Sequence, residues 1–352
     1  MKTKKATAKD VAQLAGVSQS AVSMILNNKS DVSFAPQTIE RVFSATRQLN
    51  YQTKRQQSVA LNNNDRLIAV IVPTLANPYY STLVQSLDNA AATKGFGILV
   101  CNTYRDQKIE ARYIDLFASS NVQGIIFASM PYHKEKAKAL SLSTPIVVVS
   151  DKNESVDLDT VELNSTEAGE IMAQHLLELG HKTMVFVTTP LDNISMPRIR
   201  RLEGLRQTIR SAGAKLVVQE PTKKLMSNKY DLDLEHAVGY ALAQMYIDDA
   251  SITAFVGVND MVAYGILDAL EEANIRVPED RSVCGFDNIF PSKFNRVSLT
   301  TIESFLTEKG RDAFELLHRK MPNQEQEGQS GIFRIEYKPT LVARNSTGPA
   351  RL

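Results

Sequence analysis

The stretch Thr7–Leu26, TAKDVAQLAGVSQSAVSMIL, decides how the rest of the chain is read. It has the pattern of two short helices joined by a tight turn. Thr7 is a good N-cap, and Asp10, three residues on, places negative charge at the positive end of a helix. Val11 and Leu14 mark the apolar face of the first helix. Gly16 ends it, where the terminal position favours positive φ. Ser18 then caps a second helix whose inner face carries Val22, Ile25 and Leu26. Ala12, Gly16 and Val22 supply a small residue between crossing helices, a turn glycine and a branched core residue, as a helix-turn-helix requires. The alternative is an ordinary helical hairpin. On the first reading Gln19, Ser20, Ala21, Ser23 and Met24 face the major groove of DNA.

Charge supports the first reading. Residues 1–60 hold nine Lys/Arg and three acids, a net of +6, while the whole 352-residue chain carries only +1. The remainder is therefore −5, and a basic head on a mildly acidic body is the footprint of a nucleic-acid-binding module. Beyond the hairpin, Asn27–Asp31 is turn chemistry. Pro36 opens a third helix with Phe34 as its staple, and Ile39, Val42, Phe43, Thr46 and Leu49 recur at helical spacing up to Tyr51. Lys2, Lys4, Lys5, Lys9, Lys29, Lys54 and Arg55 are the expected phosphate contacts. Thr7, Ser18, Asn27 and Tyr51 complete the expected DNA-binding set.

The order DVAQLAGVSQSAVSMILN, VSFAPQTIERV and LNY resembles the headpiece of the lactose-repressor/galactose-repressor (LacI/GalR) family. That resemblance implies a short hinge helix, paired with its copy in a second protomer, inserting an apolar wedge into the minor groove. The matching segment, QTKRQQSVALNNND (52–65), departs from the family pattern: Thr53 stands where a proline is usual, and Ala60 falls on the wedge position. Leu61 beside it is the candidate wedge; the alternative is a solvated linker. Met24 stands where the family often carries a guanine-reading arginine, and a methionine can instead touch a thymine methyl.

From Leu67 onward short apolar runs alternate with helical patterns: LIAVIV (67–72), FGILV (96–100), GIIFAS (124–129), PIVVV (145–149), MVFVT (184–188), KLVVQ (215–219), AFVGV (254–258) and SVCGF (282–286). This alternation argues for βαβ units and parallel sheets. The expected fold is an all-α helix-turn-helix headpiece at 1–53, a hinge at 54–66, and a two-lobed α/β body at 67–345 of the periplasmic-binding-protein type. The first lobe is expected to take 67–164 and 294–325, and the second 165–293 and 330–345. GIFRIEYKPTLVARNS alternates like an edge strand.

In such sheets ligands bind beyond the carboxyl ends of the strands. The residues following the runs are polar or aromatic: Asn77, Tyr79 and Tyr80; Asn102, Tyr104 and Arg105; Ser150 and Asp151; Asn259 and Asp260; Asp287 and Asn288. Arg201, three residues before Gly204, and Asn164 are expected to face the same cleft. Carboxylates, amides and an aromatic ring on one cleft suit a polyhydroxyl or heterocyclic ligand. NPYY, RRLEG, VND and GFDN are similar to the family's motifs, which imply that Arg201, Asn259 and Asp287 bind the effector with Tyr79 or Tyr80 nearby. Asn77 and Asp260 serve equally well as helix N-caps, and Asp287-Asn288 as a turn.

Other chemistries find little support. The five histidines show no metal-ligand spacing, and His181 falls where a helix ends. There is no Walker A pattern, nucleotide-fingerprint glycine set or nucleophile elbow. Cys101 and Cys284 lie in apolar runs, which fits a reducing cytoplasm. The basic N-terminus is followed by no apolar signal region, and no run is long and apolar enough to span a membrane. No trailing leucine heptads follow the body, so a homodimer is expected. The expected function is a cytoplasmic repressor, not an enzyme and without a cofactor, acting as a homodimer on a pseudo-palindromic operator. Its expected effector is a sugar or sugar phosphate, with a purine or nucleoside the alternative. A solute-binding protein is the competing reading.

Overall fold

The computed structural model describes residues 7–26, 34–49, 66–152, 157–191, 196–226, 231–296, 298–321 and 331–351. The chain forms two compact units, Met1–Asp65 and Arg66–Leu352.

In the first unit, α1 (Ala8–Ala15), α2 (Gln19–Leu26) and α3 (Pro36–Gln48) surround a small core. Thr7 and Asp10 form a capping box at the start of α1, and Gly16 closes it at φ 66°. The Ser18 hydroxyl accepts the Ala21 N–H at 3.1 Å and so caps α2. The core is Val11, Ala12, Ala15, Val22, Ile25, Val42 and Ala45. Two expected core positions are corrected. Leu14 is 48% exposed and Phe43 46% exposed. The inner faces are carried instead by Val11, Ala12 and Ala15 on α1 and by Val42 and Ala45 on α3, and Leu14 and Phe43 fall outside them.

The second unit begins with β1 (Leu67–Val72), α4 (Pro78–Thr93), β2 (Gly97–Asn102), α5 (Gln107–Ala118), β3 (Gly124–Phe127), α6 (Lys134–Ser141), β4 (Ile146–Asp151) and β5 (Asp159–Leu163). Then follow α7 (Ser165–Glu178), β6 (Thr183–Val187), α8 (Met196–Ser211), β7 (Lys215–Gln219), α9 (Leu234–Gln244), β8 (Ala254–Gly257), α10 (Asp260–Glu272), β9 (Ser282–Cys284) and β10 (Thr301–Glu303). The last elements are α11 (Leu306–Arg319), β11 (Arg334–Tyr337) and β12 (Thr340–Val342).

The first lobe is built on a six-stranded parallel sheet, order β11-β5-β4-β3-β1-β2, and the second on a four-stranded parallel sheet, order β7-β6-β8-β9. β10 pairs antiparallel with β12 beside the second sheet. Each sheet is covered on both faces by apolar side chains of the helices, as an all-parallel sheet requires.

The chain passes between the lobes at three places: from β5 to α7, from β10 to α11, and from β11 to β12. These crossings redraw the expected lobe boundaries. Residues 330–345 are not all in the second lobe, because β11 pairs with β5 in the first sheet from Arg334↔Thr160 to Tyr337↔Leu163. The apparent single edge strand is two strands in two lobes, broken at Lys338-Pro339, where proline has no N–H for a ladder. Residues 298–303 belong with the second lobe, since Thr300 and Thr301 lie beside β9 and β12, whereas α11 packs on α4 in the first.

Two glycines set the position of α8 on α7. A Cβ at Gly204 would lie 2.0 Å from the Thr166 carbonyl oxygen, and one at Gly169 would lie 2.2 Å from that of Arg201. The two helices thus touch backbone to backbone, which carries Arg201 inward. Gly204→Ala is expected to destabilise the body by about 1–3 kcal/mol through overpacking, read as a lowered urea midpoint; an unchanged midpoint would contradict this contact.

Candidate functional site

Two surfaces are built from the residues singled out by sequence. On α2, Val22 and Ile25 point inward, so Gln19, Ser20 and Ser23 are exposed and Ala21 and Met24 half-buried. This face offers one amide and two hydroxyls, groups that can donate to and accept from base edges. Thr7 and Ser18 are exposed beside it, each engaged in a cap. Asn27, Lys29, Tyr51, Lys54, Arg55 and Leu61 lie outside the described residues.

The second surface is a cavity of about 100 Å³ between the lobes of the body. Asn77, Tyr79, Tyr80, Arg105, Ser150 and Asp151 line it from the first lobe, and Arg201, Asn259 and Asp287 from the second. Asn164 does not line it. Its Oδ1 accepts the Glu167 N–H at 3.2 Å and caps α7. Asn102 also stays local, its Oδ1 accepting the Tyr104 N–H at 3.1 Å.

Arg201 is fixed on three sides. One terminal nitrogen donates to the Val258 carbonyl at 2.7 Å, the other to Asp287 Oδ1 at 2.7 Å, and the guanidinium sits 4.9 Å from the centre of the Phe286 ring. Asp287 is held for this contact by a backbone at φ 110°, outside the regions a non-glycine residue prefers. Tyr104 and Arg105 also lie at positive φ, as does Phe305. Two of these positive-φ residues, Arg105 and Asp287, line the cavity. Burial outweighs the pull of Arg201 and keeps the Asp287 carboxyl above the usual carboxylate range.

Glu235, which sequence reasoning missed, ties the lobes together. Its Oε2 accepts the side-chain N–H of Asn77 at 2.6 Å from the first lobe and of Asn259 at 2.9 Å from the second. Its Oε1 accepts Arg198 at 3.1 Å, with Arg105 4.0 Å away. Asn77 and Asn259 each use Oδ1 to cap a helix, so one amide serves both cap and bridge. Across the cavity, Arg200 of the second lobe lies 3.3 Å from Asp151 of the first. Arg198 and Lys309 also line the cavity and were not expected from sequence.

Asp260 is a buried acceptor rather than a cap. It takes hydrogen bonds from Ser292 and Thr301, both at 2.6 Å, and from the Ile289 N–H at 3.1 Å. His181 likewise is a core residue, 2.9 Å from Thr253 Oγ1 and 3.0 Å from Ser282 Oγ. Among the described residues no cluster of metal-ligating side chains occurs, and no helix is long and apolar enough to cross a membrane.

The profile described as "Periplasmic binding proteins and sugar binding domain of LacI family" matches residues 65–339, and that described as "Bacterial regulatory proteins, lacI family" matches residues 7–54. The chain belongs to the LacI family. The HTH-type transcriptional repressor PurR of Haemophilus influenzae (strain PittEE) is 31% identical over 97% of this chain and 98% of its own length. The ribose operon repressor of Escherichia coli (strain K12) is 29% identical over 97% of this chain and 99% of its own. The crystal structure of a LacI family transcriptional regulator from Enterococcus faecium with bound ribose superimposes at TM-score 0.69 and 25% identity, covering 81% of this chain and all of that one. As a LacI-family member the chain is a DNA-binding transcriptional regulator and not an enzyme, with the helix-turn-helix head and periplasmic-binding-protein-like body expected of it.

Two outcomes are expected. Arg201→Met removes the cation hydrogen-bonded to the buried Asp287 carboxyl and should cost about 3–5 kcal/mol in urea denaturation. Burial, with Asp287 nearby, raises the Asp260 carboxyl to about 7. A group raised above its unfolded value contributes stability that is full below about pH 4 and lost as pH rises through about 7. The stability of the wild type relative to Asp260→Asn should therefore fall between pH 5 and pH 8; a constant difference would show that Asp260 titrates normally.

Proposed function

We propose that the body binds a small hydroxylated effector between its lobes, and that this binding controls the affinity of a homodimer for a pseudo-palindromic operator. The observation that carries the reading is the cavity itself: both lobes line it, and polar bridges at Asn77–Glu235 and Asp151–Arg200 join the lobes through its first-lobe residues. A ligand contacting both walls changes the relative stability of closed and open bodies, which is the differential interaction a switch needs. Carboxylates, guanidinium groups, amides and hydroxyls around one small cavity match the many donors and acceptors of a sugar. The sugar-bound family structure supports a carbohydrate over a purine. Asn77, Tyr79, Tyr80, Arg105, Ser150, Asp151, Arg201, Asn259 and Asp287 are the proposed effector contacts.

In the headpiece, the Gln19–Met24 face is proposed to enter the major groove, two copies meeting two half-sites. The chain is proposed to work in the cytoplasm, where its two reduced, buried cysteines are at home. The coupling is reciprocal: an effector that weakens operator binding tenfold must itself bind the operator complex tenfold less tightly, about 1.4 kcal/mol.

A thermal-shift screen of sugars, sugar phosphates and purines, followed by a gel-shift assay on the DNA upstream of the protein's own gene, tests this reading. Removal of residues 1–65 should abolish the gel shift and leave ligand affinity unchanged. Retention of specific DNA binding by the body alone, or loss of ligand affinity with the head, would contradict it.

A further inference from the structure

One buried charge in the cavity has no counterpart in the fold. Lys309 lies in the first turn of α11, whose buried positions Leu306, Gly310, Ala313 and Leu317 share its side of the helix. Lys309 is itself only 1% exposed. Its ammonium makes no hydrogen bond or ion pair with any described residue, and the side chain lines the cavity. Leaving an ammonium buried without a partner is costly.

The charged groups that face Lys309 are Asp287 after β9, Arg201 on α8, Asp151 at the end of β4 and Glu303 on β10. Each carboxylate is occupied elsewhere. Asp287 holds Arg201 at 2.7 Å. Asp151 accepts the Ser165 N–H at 2.9 Å and faces Arg200. Glu303 accepts the Phe305 N–H at 2.8 Å and the Asn288 amide. Beside Lys309, Arg201 Nε is buried without a hydrogen-bond partner, while Asp151 Oδ2 has only the ion pair with Arg200 at 3.3 Å. Around the cavity Arg105, Arg198, Arg200, Arg201 and Lys309 outnumber Asp151, Glu235 and Asp287, and the balance stays positive when Glu303 is added.

We propose that the effector is an anionic carbohydrate of monosaccharide size, a sugar acid or sugar phosphate, whose carboxylate or phosphate is seated on the Lys309 ammonium with Arg201 Nε beside it. This rests on the effector cleft of the preceding subsection. A bound anion supplies the partner that the fold does not give Lys309, through charge-assisted hydrogen bonds stronger than a neutral sugar can form. Burial lowers the Lys309 ammonium to about 8, so it is charged at neutral pH and becomes neutral above that value.

The test is calorimetric titration of the full chain with D-ribose and D-glucose as neutral sugars, D-gluconate and D-glucuronate as carboxylates, and D-ribose 5-phosphate and D-glucose 6-phosphate as phosphates. At least one anionic sugar is expected to bind, and the group that succeeds tells carboxylate from phosphate. Lys309→Met should weaken that ligand by about 10- to 100-fold while the ligand-free protein melts at the same temperature or higher. For the wild type, affinity for a carboxylate or phosphate sugar should decline between pH 7 and pH 9.5. This pH profile stands even if the variant does not fold. Tighter binding of the neutral sugars, failure of every anionic sugar, or a wild-type affinity independent of pH would overturn the proposal. Neutral-sugar binding lost in Asp287→Asn would do so while leaving the cleft reading intact, whereas a bound sugar unaffected by Asp287→Asn would count against the cleft itself.

Discussion

The carboxylate of Glu235 is the contact on which the closed body depends. It accepts from Asn77 in one lobe and from Asn259 and Arg198 in the other, so a single half-buried carboxylate links the two lobes through three donors. Each of those donors is already held. Asn77 caps α4 and Asn259 caps α10, which means that a movement of either helix start is felt at the bridge. The three chain crossings keep the lobes together. Strained backbone at Arg105 and Asp287 lies on opposite walls of the same cavity. A body assembled this way responds to whatever occupies the space beside Glu235.

That space is polar for a structural reason. In parallel sheets the strand ends and the helix starts that follow them converge at one edge, and the lobes face each other along those edges. The inner turns bring Asn77, Asp151, Asn259 and Asp287 together without any one of them being near another in sequence. The second lobe then adds Arg201 by packing α8 backbone against α7 at Gly169 and Gly204.

Much of this was legible in the sequence because it follows from local rules. The helix-turn-helix shows through the cap at Thr7, the turn at Gly16 and the branched Val22. The cleft shows through polar residues placed after apolar runs. What was not legible depends on tertiary context. Leu14 and Phe43 look like core residues by helical spacing, but the three helices meet through Val11, Ala12, Ala15, Val42 and Ala45 and leave them outside. β5 escapes an apolar-run search because Asp159, Thr160 and Glu162 are polar, yet all are buried and paired, Asp159 with Lys320 and Thr160 with Glu162. Glu235 and Lys309 sit at the starts of helices rather than at strand ends. A signal for Lys309 did exist: it is a charge on the inward stripe of an otherwise apolar helix face.

The central claim is that occupancy of the interlobe cavity and grip on DNA are one equilibrium. The most direct measurement is the affinity of an effector for the chain free in solution and for the same chain saturated with its operator. The account predicts that the two affinities differ, and that their ratio equals the ratio of operator affinities measured with and without effector. An effector that binds between the lobes with the same affinity on and off DNA would contradict it.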